Sequence, residues 1–344
     1  MLYIGIAHQK FCHFRGTKKQ QIIQIAMYLI RGLHNLRPCH RGCVATIGNF
    51  DGVHLGHRAV FLRLLAKGQE LRLPATVITF EPQAMEYFAP QAAPARLTRL
   101  REKLAALQAF GIEQVMLLEF GSKLPNMAAG AFVEELLVRG LAVRYLLVGD
   151  DFRFGRGRQG DFELLREMGA VHGFAVEDLH TITHGAERIS STRIRETLAR
   201  GELDLARHLL GRPYRICGRV GHGNKRGRSI GFPTININLH RRVSPLHGVY
   251  AVMVHGLLNR PWPGVANIGL RPTLGDQAPR YLLEVHLFDF AGDLYGRHAE
   301  VEFRLKLRDE MKFASFDELK ACIQLDARAA REYLGSPAGS TESL

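Results

Sequence analysis

The chain changes rhythm once, near residue 211, and that change constrains its fold more than any single residue does. Before it, short apolar runs at 44–47, 75–80, 114–118, 143–148 and 174–179 alternate with segments of helical periodicity. Residues 28–30 begin a further strand-like run. Val60, Phe61, Leu64 and Leu65 share one helical face, as do Leu100, Leu104 and Leu107, and then Phe132, Leu136 and Leu137. Gly111, Gly140 and Gly169 follow these segments, where a left-handed helix cap favours glycine. Strand and helix in regular alternation predict a Rossmann-like parallel sheet with helices on both faces, with ligands beyond the carboxyl ends of its strands.

After residue 213 the pattern becomes six short strands, at 214–220, 230–237, 248–254, 264–269, 281–289 and 298–307. Closely spaced strands with turns between them predict a small six-stranded antiparallel barrel. Ser315 with Glu318 three residues on is a capping-box signal for a C-terminal helix through Leu319, Ile323 and Leu334. The expected division is an N-terminal extension at 1–26, an α/β domain at 27–211, a barrel domain at 212–335 and a flexible tail at 336–344. Residues 1–26 carry Lys10, Arg15, Lys18 and Lys19 without an acid, and are expected to be dispensable.

A chain of 344 residues fits two domains, and 46% hydrophobic against 23% charged residues excludes wholesale disorder. No apolar run approaches the ~20 residues that span a bilayer. Five scattered cysteines without a CxxC pair suggest a reducing compartment, hence the cytoplasm. Cys39, His40 and Cys43 lack a fourth partner at zinc-site spacing. The formal net charge of +13 suits a polyanionic ligand, but the arginines are scattered, so charge alone chooses no partner.

The chemistry gathers in a few strings. TIGNFDGVHLGH, residues 46–57, leaves the first long strand through Gly48, Gly52 and Gly56 and sets His54 and His57 where a helix begins. Glycines let a backbone approach a ligand, a helix N-terminus favours anions, and imidazoles can stabilise charge on a transferring phosphoryl group. ISSTRIRE, residues 189–196, adds Ser190, Ser191, Thr192, Arg193 and Arg195 at another helix start, a plausible phosphate clamp. In the second half, residues 218–237 combine Gly221, Gly223 and Gly227 with Lys225 and Arg226, and Thr234 and Asn236 offer oxygen ligands to Mg²⁺. Glu284 is a lone carboxylate in an apolar strand, either a solvent-face residue or a general base.

Together HxGH and the Ser/Thr-Arg segment resemble the HIGH-type nucleotidyltransferases. The longer strings GNFDGVHLGH, VITFEP, VGDDFRFG and ISSTRIRE resemble the adenylyltransferase module of the bacterial bifunctional riboflavin kinase/FAD synthetases. The glycine loop, GFPT with Asn, N-IG-RPT and LEVHLFD resemble that family's kinase module, in its order. The resemblance covers about residues 28–334. It implies an ATP site at Gly48, Phe50, Asp51, Gly52, His54, Gly56, His57, Ser190, Ser191, Thr192 and Arg195, with His54, His57 and Arg195 catalytic. It implies a flavin site near Phe80, Asp151 and Phe154, the phenylalanines as apolar walls.

For the barrel the resemblance implies ATP and flavin contacts at Gly221, Gly223, Gly227, Gly231, Pro233, Thr234, Asn236, Asn267 and Arg271. Mg²⁺ would sit on Thr234 and Asn236, and Glu284 would be the base for the ribityl hydroxyl. PTIN stands where the family has PTAN, and Ile235 should point away from the metal because strand side chains alternate. FEPQAMEYF also lacks the family's usual histidine and second proline. The expected partners are riboflavin, FMN, FAD and ATP, with no nucleic acid and no membrane, in a monomer or weak homo-oligomer. The rival readings are another HIGH-type adenylyl- or cytidylyltransferase with an accessory barrel, and a basic RNA-binding protein. Against the latter, the chain lacks a basic stripe interleaved with stacking aromatics, and Trp262 lies in a Pro-Trp-Pro turn.

Overall fold

The computed structural model describes residues 27–149, 151–179, 183–184, 187–221, 231–271 and 280–335. The expected extension at 1–26, the tail at 336–344, and Gly223, Lys225, Arg226 and Gly227 lie outside the described residues.

The first half runs β1 (Tyr28–Arg31), β2 (Cys43–Ile47), α1 (Leu55–Leu71), β3 (Ala75–Glu81), α2 (Ala84–Phe88), α3 (Leu100–Ala109) and β4 (Gln114–Glu119). It continues with α4 (Ala129–Phe132), a wider helical stretch at Val133–Gly140, β5 (Val143–Gly149), α5 (Phe162–His172) and β6 (Ala175–Leu179). After the short hairpin β7 (Thr183–His184) and β8 (Glu187–Arg188) come α6 (Ser191–Arg200) and α7 (Leu203–Leu210). The main sheet has the order β1-β4-β3-β2-β5-β6, parallel throughout. All five residues of β2 are buried, as a central strand covered on both faces requires. One apolar layer packs Phe61 and Leu64 of α1 with Leu107 of α3 on one face, and the other packs Phe132, Leu136 and Leu165.

Two glycine expectations fail for a common reason. Gly169 lies inside α5, whose left-handed cap is Gly173. Gly140 ends the wider helical stretch and does not take a positive φ. A Cβ on Gly169 would stand 2.6 Å from the Phe174 carbonyl oxygen, and one on Gly140 2.8 Å from that of Glu135. Both positions serve close packing rather than capping. Gly111, at φ 87°, does take the left-handed turn after α3.

The second half comprises β9 (Arg215–Gly221), β10 (Ile235–Asn238), β11 (Gly248–His255), β12 (Trp262–Arg271), β13 (Arg280–Leu287), β14 (His298–Arg308) and α8 (Phe316–Gly335). The strands close into an antiparallel barrel of order β10-β13-β12-β11-β14-β9. β10 is shorter than its apolar run, because residues 231–234 form a turn in which Pro233 has no N–H to give to a ladder. Trp262 opens β12 instead of lying in a turn, and its Nε1–H donates to the Phe288 carbonyl at 2.6 Å. At α8 the Ser315 Oγ accepts from the Glu318 N–H at 3.2 Å, while Glu318 reaches back to the Ala314 N–H at 2.8 Å.

The barrel interior is apolar, with Ile237, Leu283, Val285, Ala266 and Ile268 buried together. The same cluster takes in Ile194 and Leu198 of α6 and Leu203, Ala206 and Leu209 of α7. The core is therefore continuous across residues 211–212.

Candidate functional site

The turn after β2 is held in an unfavourable backbone shape by partners from across the fold. Phe50 and Val53 adopt φ of 46° and 44° and Gly52 lies at 83°. A β-branched residue at positive φ is strained, and such strain persists only where surroundings over-determine it. Here Arg212 donates to the carbonyls of Val53 at 2.7 Å and Gly52 at 2.6 Å. The Gly52 N–H donates to Thr98 Oγ1 at 2.9 Å. Lys103, 1% exposed, donates to the Asn49 carbonyl at 2.6 Å. Burial pulls its ammonium below the ordinary lysine range, partly offset by Asp51 and Glu81. Neither Arg212 nor Lys103 was visible as a site residue in the sequence.

His54 is the N-cap of α1, and its N–H donates to His57 Nδ1 at 3.3 Å. The two imidazoles stack, with centroids 3.6 Å apart, and Phe50 meets His57 edge-on at 5.2 Å. Desolvation, then His54, Lys103 and Arg212, hold His57 well below the ordinary imidazole pKa. His57 is thus neutral at physiological pH. With Nδ1 accepting, its proton sits on Nε2, where it can be donated to a phosphate oxygen. The glycines of the turn are needed for clearance: a Cβ on Gly48 would lie 3.0 Å from the Phe50 ring, and one on Gly56 3.1 Å from the Ile189 carbonyl.

That last contact brings the second motif against the first. Ser190 caps α6, its hydroxyl accepting the Arg193 N–H at 3.2 Å, and Ser191 Oγ donates to the Asp51 carbonyl at 2.9 Å. Thr192, exposed, follows in the first turn of α6. Asp51, expected at the ATP site, also anchors the turn. Its carboxylate, 3% exposed, accepts the N–H groups of Leu97 and Thr98 at 3.0 and 2.9 Å and pairs with Arg195 Nη2 at 2.6 Å. Arg195 also donates Nε to the Ala95 carbonyl at 2.5 Å. With the Thr98 hydroxyl as a fourth donor at 3.2 Å, Asp51 ties the turn, the loop at 95–98 and α6 together.

Around the ends of β3 and β4, Phe80, Tyr87, Phe88 and Phe120 form an aromatic cluster with ring spacings of 5.3 to 5.7 Å. Phe88 is 62% exposed, which leaves the cluster an open apolar face. Asp151 is exposed, but Phe154 is not the open wall expected of it. At 6% exposure its ring is packed between Phe132 and Phe152, and the half-buried Phe152 is the more accessible of the pair.

In the barrel, register assembles a polar rung from distant strings. Gly221 pairs with Asn236, Asn236 with Glu284 and Glu284 with Asn267, across β9, β10, β13 and β12. Directly paired residues share a face, so the Asn236, Glu284 and Asn267 side chains lie together. Ile235, one residue earlier, packs against the barrel core, so it faces away from Asn236 as alternation requires. Asn267 Oδ1 is buried without a hydrogen-bond partner among the described residues. Amide and carboxylate oxygens with one acceptor left over form a donor set that fits Mg²⁺. Thr234 and Pro233 stand in the turn before β10, and Gly231 takes φ 83° there. The Pro233 carbonyl accepts from His286 Nδ1 at 2.9 Å. Arg271 ends β12.

No cluster of three His, Cys, Asp or Glu suited to a metal occurs among the described residues, and Cys39 and Cys43 are free thiols. Nor is any helix among them long and apolar enough to cross a membrane.

Residues 36–193 match a family model described as FAD synthetase, and residues 210–334 one described as riboflavin kinase. The bifunctional riboflavin kinase/FMN adenylyltransferase of Escherichia coli (strain K12) is 54% identical over 310 residues, 90% of this chain and 98% of that protein. Its counterpart in Haemophilus influenzae is 51% identical over 310 residues, 90% of this chain and 100% of that protein. A crystal structure described as a macrolide-efflux protein from Streptococcus pneumoniae superposes with a TM-score of 0.74 at 28% identity, covering 89% of this chain and 99% of that one. Two modules in the same order, over nearly the whole length of such relatives, place this chain in the family of bifunctional riboflavin kinase/FMN adenylyltransferases.

Proposed function

We infer that one chain carries two ATP-dependent activities: the barrel half, residues 212–335, phosphorylates riboflavin to FMN, and the α/β half, residues 27–211, adenylylates FMN to FAD. The observation that carries this reading is the pairing of two separate polar centres with two modules. One is the strained His54–His57 turn against the α6 N-terminus; the other is the Asn236–Glu284–Asn267 rung.

In the α/β half, an FMN phosphate oxygen attacks the α-phosphorus of ATP, a new P–O bond forms, and the bond to the β-phosphate breaks to release pyrophosphate. Gly48, Gly52 and Gly56 let the triphosphate approach the backbone, and Phe50 holds the His57 ring from the side. His57 Nε2–H and His54 donate to the developing charge, while Ser190, Ser191 and Thr192 present hydroxyls and free amides from α6. Arg195 adds positive charge from the position that Asp51 fixes. Lys103 adds more from beneath the Asn49 carbonyl. Catalysis here is positioning and electrostatics without a covalent enzyme intermediate. The flavin ring stacks on the aromatic cluster at Phe80, with Asp151 on the β5 side and Phe154 behind it, packed against the more accessible Phe152.

In the barrel half, Glu284 takes the proton from the ribityl 5′-hydroxyl, whose oxygen then attacks the γ-phosphorus of ATP and expels ADP. Thr234 and Asn236 would hold Mg²⁺, with the unpartnered Asn267 Oδ1 as a further acceptor. The ion would supply charge neutralisation on the transferred phosphate. Gly221, Gly231, Pro233 and Arg271 would border the nucleotide and flavin, and the family resemblance assigns the same part to Gly223 and Gly227, which lie outside the described residues. The protein acts in the cytoplasm, in keeping with its free thiols, as a monomer or weak homo-oligomer without a nucleic-acid partner.

The direct test incubates purified protein with riboflavin, ATP and Mg²⁺ and separates the flavins by chromatography. FMN and then FAD accumulate on this reading. Salt-sensitive RNA binding with no flavin turnover would support the nucleic-acid alternative instead.

A further inference from the structure

Between the two halves lies a cavity of about 710 Å³ whose lining includes none of the residues assigned above to either reaction. The α/β half contributes residues between Glu81 and Glu102, and the barrel contributes Cys217 to Arg219, residues 238–243 and His298. Small-molecule sites occupy about 300–1000 Å³, so the space suits a nucleotide-sized ligand. Its wall is unbalanced in charge, six arginines against three glutamates.

The glutamates are already engaged. Glu81 and Glu86 both pair with Arg96, the former at 2.8 Å. Glu102 pairs with Arg241 at 3.0 Å. Arg99, Arg101, Arg219 and Arg242 have no carboxylate partner among the described residues. Arg219 donates to the Gly296 carbonyl, and Arg242 to the Pro90 carbonyl and the Gln91 side chain, which orients both but neutralises neither. Arg241 is 8% exposed and its Nε is buried without a partner among the described residues. The field these groups create is felt at His298. After burial, Arg101 and Arg219 are the causes that lower its pKa, with Glu300 opposing.

Four uncompensated guanidinium groups around a concavity repel one another, and a multiply charged anion relieves that cost. Planar guanidinium groups recognise phosphate through paired hydrogen bonds. We propose that this cavity binds the phosphate of a phosphorylated flavin, FMN, held between Arg99, Arg101, Arg219 and Arg242 at the junction of the halves. Two further observations favour FMN over a bare anion. Pro82, Pro94 and Val243 give the wall apolar surface for a ring system. Glu81 and Pro82 also line the cavity, next in sequence to Phe80 of the aromatic cluster. FMN is product of one half and substrate of the other, and both halves build the site. The proposal rests on the two-activity reading above.

The test follows the His298 ring resonance by NMR in the full-length protein, assigned with His298→Gln, during pH titrations with FMN, riboflavin or pyrophosphate. FMN should raise the His298 pKa, pyrophosphate should do so in part, and riboflavin should leave it in place. The double variant Arg101→Gln/Arg219→Gln should weaken the FMN response about tenfold or more while both turnover rates at saturating substrate stay within about twofold. A response to pyrophosphate but not to FMN overturns the flavin assignment, and an equal response to riboflavin overturns phosphate recognition. No response to any of them, or an unchanged one in the double variant, overturns the site itself. Failure of the two-activity reading shows separately, as absence of FMN and FAD in the turnover assay.

Discussion

Replacing Asp51 by asparagine distinguishes a residue that braces the site from one that touches ATP. The carboxylate accepts two backbone N–H bonds and the Arg195 guanidinium, at 2.6 to 3.0 Å, inside a site only 3% exposed. Asparagine keeps the shape but removes the charge and points an NH₂ at donors. Breaking a buried pair from one side costs about 3–5 kcal/mol. Arg195 retains the Ala95 carbonyl and is 17% exposed, so the lower end, about 3 kcal/mol, applies. At roughly 2–4 °C per kcal/mol for a domain of this size, Tm should fall by about 6–12 °C. Calorimetry on wild type and variant, with FMN-to-FAD turnover measured well below both transitions, reads the effect. An unchanged Tm with a raised KM for ATP would refute the bracing role and restore Asp51 as a nucleotide contact.

Three further outcomes follow from the same geometry. Because His57 titrates lower in the folded protein than in the unfolded chain, the unfolded state takes up a proton first as pH falls below about 6.5, so stability drops through that window. His57→Gln should flatten the slope of unfolding free energy against pH there by up to about 1.4 kcal/mol per pH unit, and an unchanged slope would contradict a neutral His57. Arg212→Met frees the strained Gly52–Val53 carbonyls and should lower kcat/KM for FAD formation about tenfold while leaving riboflavin phosphorylation unaltered, as steady-state assays of each half-reaction would show. Asn267→Ala, which removes the buried acceptor beside Glu284, should lower riboflavin phosphorylation and raise the Mg²⁺ concentration needed for half-maximal rate, with FAD formation from FMN untouched.

The alternating apolar runs disclosed the parallel sheet because buried central strands must be apolar on both faces. The barrel was equally legible from its closely spaced strands, though β10 lost residues 231–234 to a turn around Pro233. What a glycine is for was not legible locally: Gly169 and Gly173 both end the same helical pattern, and only the Phe174 carbonyl against Gly169 decides which one caps. His54 and His57 stood out because two imidazoles at a glycine turn are unusual. Lys103 and Arg212 carry no local signal, since their bonds to the turn carbonyls join residues far apart in sequence. Asp51 stood out within its string, but its bonds to Leu97, Thr98 and Arg195, like the packing of Phe154 against Phe132 and Phe152, needed the fold. The Asn236–Glu284–Asn267 rung needed strand register, which three separate strings do not contain.

The central claim, one activity in each half, is tested most directly by flavin chromatography on two folded single-site variants. His57→Ala should convert riboflavin to FMN and stop there. Glu284→Ala should make no FMN from riboflavin yet still turn supplied FMN into FAD. If either variant, shown to be folded, lost both steps, the assignment of one site to each half would be wrong.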